Sequence, residues 1–451
     1  MLSEIADALK ASRAEFTEIR VERNWTTTVA FRGRRLEAAR LGIDQGAFIR
    51  CYARGHGWGQ VSTTDLDRLP AAVARAHELS LTVHTDSPPA LTPIPPHQSE
   101  GPAELDDDPR RLSLAEKRAF AEQLNGELLG LDRRIAESQF AARDEVTELF
   151  LGNSDGTLVR DLRADCTLAT VAVARDEGLV ERAVDSWAAR GGWPALAGFS
   201  EAIHALGGRA ISRLGAPRVR PGRFPVILDP RAAGAFLHAT LGHASEADGR
   251  APLRIGERVG SELLSVGDDG RGAGLRGARN WDAEGTPTQS TTLLQRGVVV
   301  GRLHSRETAA RTGESPTGNA RASSFRHPPR VRMTNLFLAS GQGTLADLLS
   351  GIPLGVYVAD ARGVQRDGDR VRIVAEAAWM IRRGELAEPI RDAVVRGTVA
   401  ELLGAVDGVA SDFHWNEGAA ACARGCHGLI PVADGAPHLR LKVARVEGEG
   451  A

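Results

Sequence analysis

The chain has 451 residues, enough for two or three domains that each bury their own core. Hydrophobic residues make up 42% and charged residues 25%, the balance of an ordinary globular protein. With 56 basic against 58 acidic residues the net charge is −2, which gives no electrostatic case for nucleic acid or an anionic membrane as partner.

The N-terminus carries Glu4 and Asp7 where a secretion signal would be basic, and no apolar segment of signal-peptide type follows it. No apolar run reaches the roughly 18 residues of a membrane helix, so a cytoplasmic location is expected. The cysteines Cys51, Cys166, Cys422 and Cys426 are too few for a disulfide framework in a chain of this length. Cys51 and Cys166 lie in strand-like runs and are expected to be buried.

Apolar spacing at Ile5, Leu9 and Ala11 predicts a short first helix. Strands follow from Glu18 to Thr63, broken at Gly33 and at Gly55, Gly57 and Gly59, and then a helix from Leu66 to Leu79. The prolines from Pro88 to Pro96 cannot join a helix or a central strand, so residues 88–112 read as an extended linker after a first domain of residues 1–87.

Ser113 and Glu116 form a capping-box pattern that opens a helix to Leu131. Strands are expected at Ile135–Ala142, Thr147–Leu151 and Leu158–Ala174, with a turn at Asn153–Gly156, and a helix from Ser200 to Arg213 closes a central α+β domain of residues 113–215. Residues 216–451 then read as a glycine-rich, β-rich C-terminal domain. It opens with the strand Phe224–Leu228, after which Asp229 and Pro230 supply an N-cap and an N1 proline for a helix. The fold class expected is therefore α+β and multi-domain: a small N-terminal α/β domain, a central α+β domain and the β-rich C-terminal domain.

That helix runs into His238-Ala-Thr-Leu-Gly-His243, and Cys422 lies far downstream. Two imidazoles and a thiol are ligand types that Zn²⁺ prefers. Zinc-binding histidines on a regular helix sit four apart, whereas these are five apart, or about 140° around the cylinder. Their convergence on one ion requires a π-type widening or an end to the helix, and Gly242 is placed for either. A helical zinc peptidase also needs a glutamate beside the first histidine to activate the attacking water, and here that residue is Ala239.

The segment Leu237–Asp248 resembles the HExxxH region of the TldD/PmbA metallopeptidases. Further ordered segments are similar to that family's pattern: Asp282-Ala-Glu-Gly-Thr-Pro287, Thr317-Gly-Asn-Ala-Arg321, Arg332-Met-Thr-Asn335, and Cys422–His427 leading to Pro431–His438. The resemblance implies a zinc-dependent peptidase acting on small or unfolded peptides, in a homodimer or in a heterodimer with another TldD/PmbA chain. It implies His238, His243 and Cys422 as zinc ligands, with Cys426 as the alternative because one extra residue precedes Pro431. The family glutamate falls on Ala239. The substitute bases are Glu246, which on a continuing helix shares the face of His243 and suits a role behind that histidine better, and Glu284. Loss of the glutamate also implies an alternative function, an impaired peptide-binding or regulatory partner subunit.

Other motifs weigh less. His304 and His327 stand alone in polar contexts and are expected at the surface. Asp282 and Glu284 precede a turn-forming Gly-Thr-Pro. Gly341-Gln-Gly-Thr-Leu-Ala346 with Asp360 satisfies a dinucleotide-binding spacing, but the repeating βαβ pattern of such a fold is absent from the neighbouring sequence, so a glycine-rich turn into a short helix is expected.

Overall fold

The computed structural model describes residues 1–99, 104–272, 274–416, 418, 421–423 and 428–448. In the N-terminal region α1 (Leu2–Lys10) precedes the long strands β1 (Phe16–Arg32) and β2 (Arg35–Tyr52), then β3 (Trp58–Thr63) and α2 (Leu69–Thr82). Gly33, at φ +53°, makes the tight β1–β2 turn, a backbone state that glycine adopts without cost. The close approach of α2 to β3 requires Gly59, where a Cβ would lie 1.9 Å from the Ala76 carbonyl oxygen.

The central region contributes β4 (Gln98–Ser99), α3 (Leu114–Gly130), β5 (Ile135–Asn153), β6 (Leu158–Asp176), β7 (Leu179–Arg190) and α4 (Ser200–Gly215). Ser113 and Glu116 close the expected capping box on α3. The two strands expected between Ile135 and Leu151 are one, because Arg143, Asp144 and Glu145 stay in register with Thr28, Thr27 and Thr26. The polar residues that break the hydrophobic alternation are held by the ladder. β4 pairs with β6, so part of the expected linker, just after its prolines from Pro88 to Pro96, joins the sheet.

The N-terminal and central regions share one seven-stranded sheet, in the order β3-β2-β1-β5-β6-β4 with β7 also on β6. β1 pairs with β5 from Glu18–Asn153 to Arg32–Gln139. Two cores lie against it: Ile5, Ile19, Ile49 and Val73 under α1 and α2, and Leu128, Phe140, Leu168 and Leu206 under α3 and α4. Cys51 and Cys166 are fully buried in these cores, and burial pushes the Cys51 thiol up to about 12 and Cys166 upward too.

The C-terminal region opens on β8 (Gly222–Leu228) and α5 (Pro230–Leu237). β8 lies between strands Leu354–Asp367 and Leu439–Gly448. Pairing continues through Ala393–Thr398 and Arg370–Arg382 and returns to Leu354–Asp367, so that these strands close on themselves. A second, six-stranded sheet includes Val266–Asp269, Asn335–Leu338 and Ala433–Ala436. Phe236, Leu237, Val266, Met333, Leu336 and Val358 fill the space between these layers and α5. The result is the multi-domain α+β architecture with a β-rich C-terminal part.

Arginines bind the C-terminal region to the large sheet. Arg50 on β2 reaches Glu18 at 3.1 Å and Glu284 at 2.8 Å, and Arg20 on β1 donates to the carbonyls of Ser324 and His327 at 2.9 Å. Such charge-assisted contacts are shorter and stronger than neutral ones, and the fork of Arg50 on Glu18 sets the direction in which it meets Glu284.

Candidate metal centre

Asp229 caps α5 by accepting from the Ala232 N–H, and Pro230 takes the first turn, where its missing N–H costs nothing. α5 ends at Leu237, a π-helical turn spans His238–Gly242, and a short 3₁₀ turn covers His243–Ser245. The widening that the five-residue spacing demanded is therefore present. It turns the two rings toward one another, with centroids 5.2 Å apart and planes at 84°. Gly242 is required for packing: a Cβ there would lie 2.0 Å from Met333 Sδ.

Cys422 sits in a hairpin, Ala421–Ala423 with Leu429–Pro431, and its side chain is buried while both neighbours are exposed. One ligand atom from each of His238, His243 and Cys422 lies within 4.8 Å of the others. Cys422 Sγ is 3.7 Å from His243 Nε2. Tetrahedral zinc at its usual bond lengths separates a nitrogen from a sulfur by roughly 3.6 Å, so the donor set fits that ion. Cys426 lies outside the described residues.

Each imidazole is held from behind. His238 Nδ1 faces Asp434 Oδ1 at 2.9 Å, and His243 Nδ1 faces Glu246 Oε1 at 3.2 Å. A carboxylate on Nδ1 fixes the tautomer and turns Nε2 toward the common space. Arg332, fully buried, donates to the Cys422 carbonyl and lies 3.9 Å from Glu246 Oε1, tying the cysteine strand to the histidine support. Burial opposes charge on all three donor side chains, yet it is outweighed by Asp434 and then Cys422 at His238, by Cys422 and then Glu246 at His243, and by the two imidazoles at Cys422. The His243 imidazole is pushed up to about 9 and that of His238 well above its usual value, while the Cys422 thiol is held down to about 5.

The two substitute bases are placed differently from the donors. Glu246 is fully buried behind His243. Both oxygens of Glu284 are engaged, Oε1 by Arg50 and Oε2 by the Arg306 N–H at 2.8 Å. Its turn is buried: Asp282 Oδ1 accepts from the Glu284 and Thr286 amides at 2.9 Å, with Gly285 at φ +77°. Ala239 offers only a methyl group.

His304 is 1% exposed, contrary to the surface placement expected from its polar neighbours. Those neighbours fold over it: Thr308 Oγ1 and Glu314 Oε2 lie 3.1 Å from its ring nitrogens. His327 is partly buried against Ser323 and Ser324. The glycine-rich segment at Gly341 is a turn into a helix of Leu345–Leu349, whose N-terminus is closed by Thr344 and Asp347, and Asp360 pairs with Arg231 at 3.2 Å. Asp434 and Arg332 escaped the sequence reading although both stand in quoted motifs. No local signal pointed to Asp434, which lies 196 positions from the histidine it supports.

The profile of the PmbA/TldA metallopeptidase C-terminal domain matches residues 221–448, that of domain 1 matches 17–80, and that of the central domain matches 107–215. The chain belongs to the PmbA/TldD metallopeptidase family. A metalloprotease of this family from Synechocystis sp. is 34% identical over 448 residues, 98% of this chain and 96% of the relative. The zinc metalloprotease TldD homolog of Saccharolobus solfataricus is 28% identical over 249 residues, covering 53% of this chain and 55% of its own. TldE from Thermococcus kodakarensis has the same PmbA/TldD fold, with a TM-score of 0.77 at 18% identity over 99% of this chain and 100% of its own. No helix among the described residues is long and apolar enough to cross a membrane.

Proposed function

We infer that this PmbA/TldD chain is a zinc-dependent peptidase acting on small or unfolded peptides, with His238, His243 and Cys422 as the metal ligands. The observation that carries the reading is the convergence of those donor atoms within 4.8 Å, with a carboxylate behind each imidazole. Bound zinc supplies Lewis acidity at the scissile carbonyl and lowers the pKa of water. The chain's own residues orient and hold: Asp434 and Glu246 keep both Nε2 atoms aimed inward, and Arg332 fixes the strand of Cys422.

Hydrolysis breaks the C–N bond, adds the oxygen of water to the acyl carbon and returns a proton to the leaving amine. Ala239 cannot move that proton, and Glu246 and Glu284 are committed to His243 and to Arg50 with the Arg306 amide. Turnover in the natural chain is accordingly weak. The same observation favours a second reading, in which the chain binds metal and peptide as a regulatory subunit of a heterodimer with a catalytically complete PmbA/TldD partner.

Purified protein is expected to carry close to one zinc per chain, which His238→Ala or Cys422→Ala removes. Ala239→Glu is expected to raise peptide hydrolysis by about 10²–10⁴-fold, the usual range for general acid–base catalysis. A natural chain already as active as the Ala239→Glu variant would show that another residue serves as base. No hydrolysis from the zinc-loaded variant would favour the regulatory subunit.

A further inference from the structure

A cavity of about 340 Å³ lies between the face of the large sheet and the C-terminal region, bounded on one side by Ala421, Ile430 and Pro431 of the hairpin that carries Cys422. Its size is at the lower end of the ~300–1,000 Å³ range of small-ligand sites. Its wall is rich in arginine although the chain as a whole is close to neutral.

Three of these arginines have carboxylate partners: Arg20 with Glu22 at 2.9 Å, Arg143 with Glu145 at 2.7 Å, and Arg276 with Asp165 at 3.9 Å. The other three, Arg163, Arg279 and Arg321, have no ion-pair partner among the described residues. Arg279 is held by the carbonyls of Arg276 and Ala278, at 2.8 and 2.6 Å, and Arg321 by those of Met333 and Pro431, at 2.5 and 2.7 Å. Carbonyls steer a guanidinium without neutralising it, and each guanidinium has five N–H donors, more than these contacts use. Burial, and then the repulsion of Arg163, pushes both Arg279 and Arg321 below the usual arginine value. The carboxylate of Asp282, also in the wall, is already taken by the amides of Glu284, Thr286 and Ala320.

A buried excess of positive charge is costly unless an anion neutralises it, and planar guanidinium forks match the two oxygens of a carboxylate. We propose that this cavity binds the C-terminal carboxylate of the peptide, held by Arg163, Arg279 and Arg321. The assignment rests on the peptidase reading above. Ala421 borders the cavity and adjoins Cys422, so a chain anchored there passes the metal centre within a few residues of its end. Such anchoring directs cleavage to bonds close to the C-terminus. Free phosphate offers similar oxyanion chemistry, and the test separates the two.

Binding is measured by fluorescence anisotropy with a short peptide labelled at its N-terminus, as the free acid and as the C-terminal amide, on the full zinc-loaded chain. The acid is expected to bind about tenfold tighter, the equivalent of one good charge-assisted contact. Arg163→Gln and Arg279→Gln are each expected to remove most of that preference while zinc content stays unchanged. Equal affinity of the wild-type protein for acid and amide overturns the proposal without recourse to any variant. Inorganic phosphate displacing both peptides at concentrations below the acid's own Kd also overturns it, by assigning the cavity to a free oxyanion. Failure of the peptidase reading shows separately, as bound peptide that is never cleaved.

Discussion

The large sheet and the candidate metal centre bury polar side chains in opposite ways. Lys117, 2% exposed, meets Thr27 Oγ1 at 2.6 Å and Asp144 Oδ2 at 2.7 Å, and Trp193 Nε1 donates to the same carboxylate. That network closes on itself. At the candidate metal centre each histidine is satisfied on Nδ1, and the remaining donors lie within 4.8 Å of one another. A buried group paired on every side maintains the fold, whereas one anchored from behind presents an atom to a ligand.

The largest effect that tests this contrast is expected from Cys422→Ala. Elemental analysis should find zinc lost while the melting curve of the large sheet is kept; retained zinc would remove the cysteine from the ligand set. Lys117→Met is the converse case. It leaves Asp144 buried and uncompensated, which costs about 3–5 kcal/mol in chemical unfolding, with little change in zinc affinity. Asp434→Asn removes one support only, so zinc affinity should drop about 10–100-fold in a chelator competition with the fold intact.

The smallest effect is a pH dependence at Glu376, which is 2% exposed and accepts from the Val184 N–H at 2.7 Å, joining the C-terminal region to β7. Burial pushes its carboxyl up to about 7. Because the folded value lies above the unfolded one, this group favours the fold fully below pH about 4.3 and loses that contribution as pH rises through about 7. Glu376→Gln keeps an acceptor without the titration. It should therefore stabilise the chain by about 2 kcal/mol more at pH 8 than at pH 5 in matched thermal melts. No difference between the two pH values would contradict the assignment.

What the sequence made legible follows the same division. The long strands of the sheet repeat an alternation that reads directly, and α3 and α5 announce themselves through Ser113, Glu116, Asp229 and Pro230. The π turn at His238–Gly242 was legible as a geometric requirement of the five-residue spacing. The pairing of β1 with β5 was hidden, because it joins residues more than 100 positions apart across the expected linker, and nothing local encodes a register of that kind. Asp434 and Arg332 were hidden for the same reason: their roles exist only once separate strands bring them behind His238 and Cys422. The burial of His304 depends on Thr308 and Glu314 folding over it, and polar neighbours read in one dimension suggest solvent.

X-ray absorption at the zinc edge of the purified chain reads the ligand set of the ion directly. Nearest neighbours of two imidazole nitrogens and one sulfur are expected, the sulfur absent in Cys422→Ala. A zinc environment without sulfur in the natural chain, or a protein that takes up no zinc, would contradict that ligand set.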